Sequence, residues 1–167
     1  ASGTVTATIA LDETVTLPTP TTTTFATNTE QTVSSDGVSV NAPANSLSAT
    51  SVDVTLSVTG TVEERPSTAT DSPIGPAYDI TATQSSGQNA GSPITDLAGN
   101  VPVTLPYADA DLTSAGVDDE SALTVKSWDS TTDTYTDVQG VTINEQSNTV
   151  SFTTNHLSKF VITTVPV

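Results

Sequence analysis

The sequence contains no cysteine, no methionine and only three basic residues, and it has no apolar run long enough to cross a membrane as a helix. Without cysteine, disulfides and thiolate metal sites are excluded. That says nothing in favour of the cytosol, since many microbial surface proteins dispense with disulfides. Apolar residues make up 34% of the chain and aromatic ones 4%, well below the ~45–50% apolar content of ordinary soluble domains. Arg65, Lys126 and Lys159 face 19 acidic residues, for a net charge of −16. A field of that sign repels phosphates and anionic lipid headgroups, so nucleic-acid binding and membrane insertion are not expected. It suits instead a well-solvated exterior in a salty or exposed habitat.

Threonine, serine and valine take the place of the missing residues. Thr and Val are β-branched, stiff at χ1 and suited to a pleated, half-buried surface. No stretch keeps a helical period over three turns, so the chain reads as all-β. The opening Ala1-Ser2-Gly3 suits the mature side of a signal-peptidase cut, and the expected location is extracellular, at a cell surface. Asn-x-Ser/Thr sequons do not occur, which leaves Thr-linked sugars as the common glycan option.

Three regions follow from the pattern. In residues 4–17, Val5, Ala7, Ile9, Leu11, Val15 and Leu17 occupy odd positions while Thr4, Thr6, Thr8, Asp12, Thr14 and Thr16 occupy even ones. That is a strand with one apolar face; Glu13 interrupts the file. Residues 18–24, Pro-Thr-Pro and then four Thr, read as an extended linker. Residues 25–167 read as a β-sandwich, with strands expected over 31–34, 38–41, 52–62, 77–83, 101–105, 122–128, 134–143, 149–153 and 159–164. Turns are expected at Asp36-Gly37, Thr59-Gly60, Ser86-Gly87, Ala98-Gly99-Asn100 and over 129–133. Residues 109–116 have room for a helical turn.

Several motifs then occur in order. Ser35-Asp36-Gly37-Val38-Ser39-Val40-Asn41-Ala42-Pro43-Ala44-Asn45-Ser46-Leu47 resembles the opening of the ZU-type β-sandwich of ankyrins and netrin receptors. Asn45 stands where that family usually has Gly, and Asn tolerates the left-handed backbone the corner needs. Pro73-Ile74-Gly75-Pro76-Ala77-Tyr78-Asp79-Ile80 and Val101-Pro102-Val103-Thr104-Leu105-Pro106-Tyr107 are similar to later strands of the family. Its closing hairpin resembles the segment from Leu123 to Val150, followed by His156-Leu157-Ser158-Lys159-Phe160. The resemblance implies an immunoglobulin-like, ZU-type antiparallel sandwich with an extended N-terminal strand, and a binding or structural role without a fixed ligand. The N-terminal strand and linker in turn resemble those of donor-strand-exchanging filament subunits. On that likeness Val5, Ala7, Ile9, Leu11, Val15 and Leu17 would form the subunit interface.

The chemistry-bearing residues are few. His156-Leu157-Ser158 is similar to the triplet of self-cleaving domains, in which His156 would take the hydroxyl proton and Ser158 would attack the carbonyl of Leu157. The plainer account is that His156 caps a hairpin while Leu157 and Phe160 fill the core. There is no nucleophile elbow, phosphate loop or cofactor motif, so turnover catalysis and a cofactor are not expected. Asp109, Asp111, Asp118, Asp119 and Glu120 could offer oxygen ligands to calcium, but without the spacing of a calcium loop; a solvated acidic loop is the plainer account. Lys126 shares a strand face with Trp128, so its stem is expected to lie along the indole.

Three functions compete: a non-enzymatic subunit of an extracellular filament whose partner is another copy of itself, a monomeric adhesion or glycan-binding module, and a self-cleaving module. Calcium and glycans are the other ligands the composition leaves open.

Overall fold

The computed structural model describes residues 19–59, 73–129 and 131–164. Along the chain these form β1 (Thr21–Ala26), β2 (Gln31–Ser35), β3 (Val38–Ala42), β4 (Ser51–Thr59), β5 (Ala77–Gln84), β6 (Asp96–Pro106), α1 (Asp109–Ala115), β7 (Leu123–Asp129), β8 (Thr134–Asp137), β9 (Thr142–Asn144), β10 (Thr149–His156) and β11 (Lys159–Thr164), with a 3₁₀ turn at Glu120–Ala122. The described residues make two antiparallel sheets. One has six strands in the order β1-β4-β5-β11-β7-β8, the other five in the order β2-β3-β6-β10-β9. The expected all-β sandwich is the fold observed.

Alternation builds the core. Val52, Val54 and Leu56 of β4, Tyr78, Ile80 and Ala82 of β5, and Phe160 and Ile162 of β11 point inward from the first sheet. Val33, Val38, Val40, Val101, Val103, Leu105, Val150 and Phe152 meet them from the second. The rings of Phe152 and Phe160, one from each sheet, lie 4.9 Å apart between centroids and are tilted at 54°. Each fully buried Val, Leu, Ile or Phe contributes about 1.5–3 kcal/mol. β11 is buried on both faces, because Val161 and Thr163 are as inaccessible as Phe160 and Ile162. That explains its near-continuous apolar run.

Local chemistry explains the turns. Asp36 and Gly37 both have positive φ, 52° and 84°, as the tight hairpin between β2 and β3 requires. A side chain at Gly37 would stand 2.9 Å from Pro106. Asn45 has φ 59°, the left-handed corner expected of it, and its N–H donates to the Thr27 carbonyl. α1 ends at Gly116, which is also left-handed and returns its N–H to the helix.

Four expectations need correction. The stretch 18–24 is not linker throughout: Thr21 to Ala26 pair with Leu56 to Ser51 as strand β1, since the prolines stop at Pro20 and the threonines after it suit a ladder. Ala98-Gly99-Asn100 is not a turn but lies within β6, where the N–H groups of Ala98 and Gly99 share the Ser46 carbonyl. Residues 134–143 are not one strand. β8 joins the first sheet and β9 the second, and the chain crosses between them over 138–141 through Gly140 at φ 69°. The lysine over the indole is Lys159, 4.8 Å from the ring centroid of Trp128. Lys126 instead donates to Asp137 at 2.5 Å, its direct partner across the β7–β8 ladder. Residues 60–62, the end of one expected strand, and the turn residue Gly60 lie outside the described residues.

Candidate functional site

The β10–β11 corner collects the chain's single histidine, its single tryptophan and Lys159. A register shift between Thr154 and His156 breaks the ladder of β10 with β6. The Thr154 hydroxyl spans the irregularity, donating to the His156 carbonyl and accepting from the His156 N–H. Leu157 is buried, and its N–H donates to Thr95 at 3.1 Å. The Ser158 carbonyl accepts from the Ile80 N–H, also at 3.1 Å. The corner is therefore pinned to both sheets, and Leu157 and Phe160 fill the core beneath it.

Its two reactive side chains are held apart by different partners. His156 Nδ1 lies 3.2 Å from Asp96 Oδ1, with the imidazole 53% and the carboxylate 93% exposed. The Ser158 hydroxyl donates to the Trp128 carbonyl at 3.2 Å. Residues 156–158 include no left-handed φ, and no cis peptide is found among the described residues. The structure thus brings His156 and Ser158 to one corner without a hydrogen bond between them. Beside them is a polar recess of about 320 Å³, lined by Asp79, Trp128, Asp129, His156, Ser158 and Lys159. The Asp129 carboxylate is held below the usual carboxylate range, first by the Thr131 N–H that caps it.

The acidic residues of the 109–120 region have separate tasks. Asp109 accepts from the Asn148 amide at 2.6 Å. Asp119 caps the 3₁₀ turn through the hydroxyl and N–H of Ser121, and these bonds hold its pKa low. Glu120 accepts from the Tyr107 hydroxyl. Asp111 lies beside Gly75, and its charge adds to the effect of burial in pushing the Tyr78 phenol up. Asp118 lies in the loop between α1 and the 3₁₀ turn. Among the described residues no three His, Asp or Glu side chains converge as a metal site would require.

The two lateral edges of the sandwich are built differently. At the near edge, β1 and β2 turn Thr21, Thr23, Phe25, Gln31, Val33 and Ser35 inward. Thr21 and Ser35 are hydrogen-bonded across the gap between the sheets. The far edge differs because its last strand changes sheets. β8 runs beside 126–129 of β7, and on that flank no described strand continues alongside Leu123 and Thr124. β9 covers 149–151 of β10, and no described strand lies beside 152–155 on that flank. Two recesses result, one on each side of the 138–141 crossing. One, of about 540 Å³, includes Asp129, Asp137, the 153–156 end of β10 and Phe160. The other, of about 420 Å³, has Leu123, Val138, Val141 and Ile143 in its walls.

The expected interface residues Val5, Ala7, Ile9, Leu11, Val15 and Leu17 lie outside the described residues. Three features escaped sequence reading. Asp96 is 60 positions from His156, and nothing local marks it as a partner. Lys159 meets Trp128 through strand register. The sheet switch at 138–141 had one local sign, Gly140. No protein-family model matches the chain, and no curated protein does so either.

Proposed function

We propose that this chain is a non-enzymatic structural subunit of an extracellular filament or surface assembly, in which residues 4–17 of one copy add as a strand to the sandwich of the next. The observation that carries the reading is where β1 begins. With Thr21 already in the ladder, only Pro18, Thr19 and Pro20 separate Leu17 from the sandwich, and three residues reach about 10 Å. The far edge, at β7, is four strand spacings from β1, about 19 Å at the usual inter-strand distance. A strand seated through Leu17 therefore cannot lie in its own far edge, but it can lie in a neighbour's.

Supporting physics comes from the strand itself. A lone amphipathic strand is unstable in water, because its apolar file and its backbone groups both need partners. Strand addition satisfies both at once, with main-chain hydrogen bonds for affinity and alternate side chains for register. The contact is head-to-tail, so it propagates unless a ring closes. The acidic surface suits an exposed, soluble assembly. A glycan-binding module is less favoured, since Lys159 already covers one face of the single indole.

Size-exclusion chromatography and negative-stain imaging of the full chain test the proposal. Concentration-dependent oligomers or filaments are expected. Deleting residues 1–17 should abolish them, and a synthetic peptide of residues 4–17 should bind the truncated body. A full chain that stays monomeric at high concentration, with a peptide that never binds, would mean that the strand closes its own domain.

A further inference from the structure

We infer that the acceptor for the incoming strand is the groove at the far edge, between Leu123 of β7 and Ile143 of β9, and that its occupant is the uncharged stretch 5–11 of a second copy. This rests on the filament reading and adds the site to it.

The two lateral edges offer an incoming apolar file different surfaces. At the near edge four of the six inward positions of β1 and β2 are Thr, Gln or Ser, and Thr21 and Ser35 bridge the sheets there. A Val or Ile entering that gap would desolvate hydroxyls already paired with each other. At the far edge a groove of about 420 Å³ has Leu123, Val138, Val141 and Ile143 among its ten lining residues. Val138, Val141 and Ile143 are only partly buried against the core, so a guest side chain has apolar area left to cover.

The groove also lies between two strand flanks with room for a ladder. No described strand runs beside Leu123 and Thr124 on the flank of β7 away from β11, or along the outer side of β9. The shortage follows from the topology, because one chain segment serves as edge strand to both sheets in turn and covers half of each. Charge supports the choice of occupant. Asp137 in the groove wall is already engaged by Lys126, and residues 5–11 bring no charged side chain. Asp12 and Glu13 follow immediately, and two more carboxylates beside Asp137 in the groove wall would be repelled. They end the stretch held in the groove, and 14–17 continue the strand beyond it as far as Leu17, leaving 18–20 as the tether between copies.

The absence of cysteine allows an unambiguous crosslinking test. Full-length chains carrying Ile9→Cys are mixed with full-length chains carrying Val141→Cys, and separately with chains carrying Ser34→Cys at the near edge. Disulfides are then mapped by mass spectrometry. An intermolecular bond between positions 9 and 141 is expected, at least tenfold over that between 9 and 34. Preference for position 34 would overturn the far-edge acceptor while leaving the filament reading intact. Oligomers that link 9 to neither position would overturn this site as well. A bond from 9 to 141 within a single chain of the Ile9→Cys/Val141→Cys double variant, with no oligomers, would overturn both readings. If Val141→Cys fails to fold, Gln139→Cys on the exposed rim replaces it.

Discussion

Thr21 Oγ1 lies 2.8 Å from Ser35 Oγ, joining the first strand of one sheet to the edge strand of the other. The bond lies at the point where the chain enters the sandwich, and it closes the edge that the preceding residues could otherwise reach most easily. An opening for another copy is therefore better placed at the opposite edge, where the outermost strand is shared between the sheets.

Removing that hydroxyl pair should weaken the fold without altering assembly. A double-mutant cycle of Thr21→Val and Ser35→Ala, followed by urea unfolding, is expected to give a coupling of about 0.5–1.5 kcal/mol. Oligomer size should stay the same. Loss of assembly in either single variant would mean that the near edge takes part in it.

Phe160 is in the core and packs at a tilt against Phe152 across the sheets. Phe160→Ala should cost about 3–5 kcal/mol, the usual range for emptying a buried aromatic site. The shift in urea midpoint reads it directly. A change below 1 kcal/mol would show that the corner collapses to fill the space.

Two tyrosines set an alkaline limit. Burial, then the Asp111 charge, pushes the Tyr78 phenol up; burial, then the hydrogen bond to Glu120, does the same to Tyr107. The folded state thus holds these protons above the pH at which the unfolded chain releases them, near 10. Folding stability from these groups is complete below that pH and falls as pH rises above it. Phenolate absorbance should appear together with loss of circular dichroism, and Tyr107→Phe should make the alkaline loss less steep. Ionisation of all three tyrosines at pH 10 in a still-folded protein would contradict this.

The triplet at the corner should leave the backbone intact. His156 is engaged by Asp96, and the Ser158 hydroxyl donates to the Trp128 carbonyl, so the base does not hold the nucleophile. Intact-mass measurement after prolonged native incubation is expected to give one species. A fragment spanning 158–167 would overturn that expectation, and Ser158→Ala would then have to abolish it.

Much of the fold was legible residue by residue. Alternating Val52, Val54 and Leu56 marked a half-buried strand, and Asp36-Gly37 marked a hairpin, because alternation and positive φ are local demands. Leu157 and Phe160 were expected in the core, and both are there. The candidate site was less legible. The contacts of His156 and Trp128 depend on Asp96 and Lys159, which reach them only through strand register, and of the calcium candidates Asp109, Asp119 and Glu120 each serve a separate hydrogen bond.

What the sequence determined by itself was the class of structure. β-branched Thr and Val in period two favour strands wherever they occur, and an excess of carboxylates gives the whole chain a field that repels anions. Only the tertiary structure decided which strand lies beside which. Thr21 to Ala26 became a strand because β4 was there to pair with it, and residues 134–143 divided between two sheets because β7 and β10 each had a flank to cover. A strand's hydrogen-bonding groups are satisfied by a partner distant in sequence, so its tendency to extend is local while its place in the sheet is not.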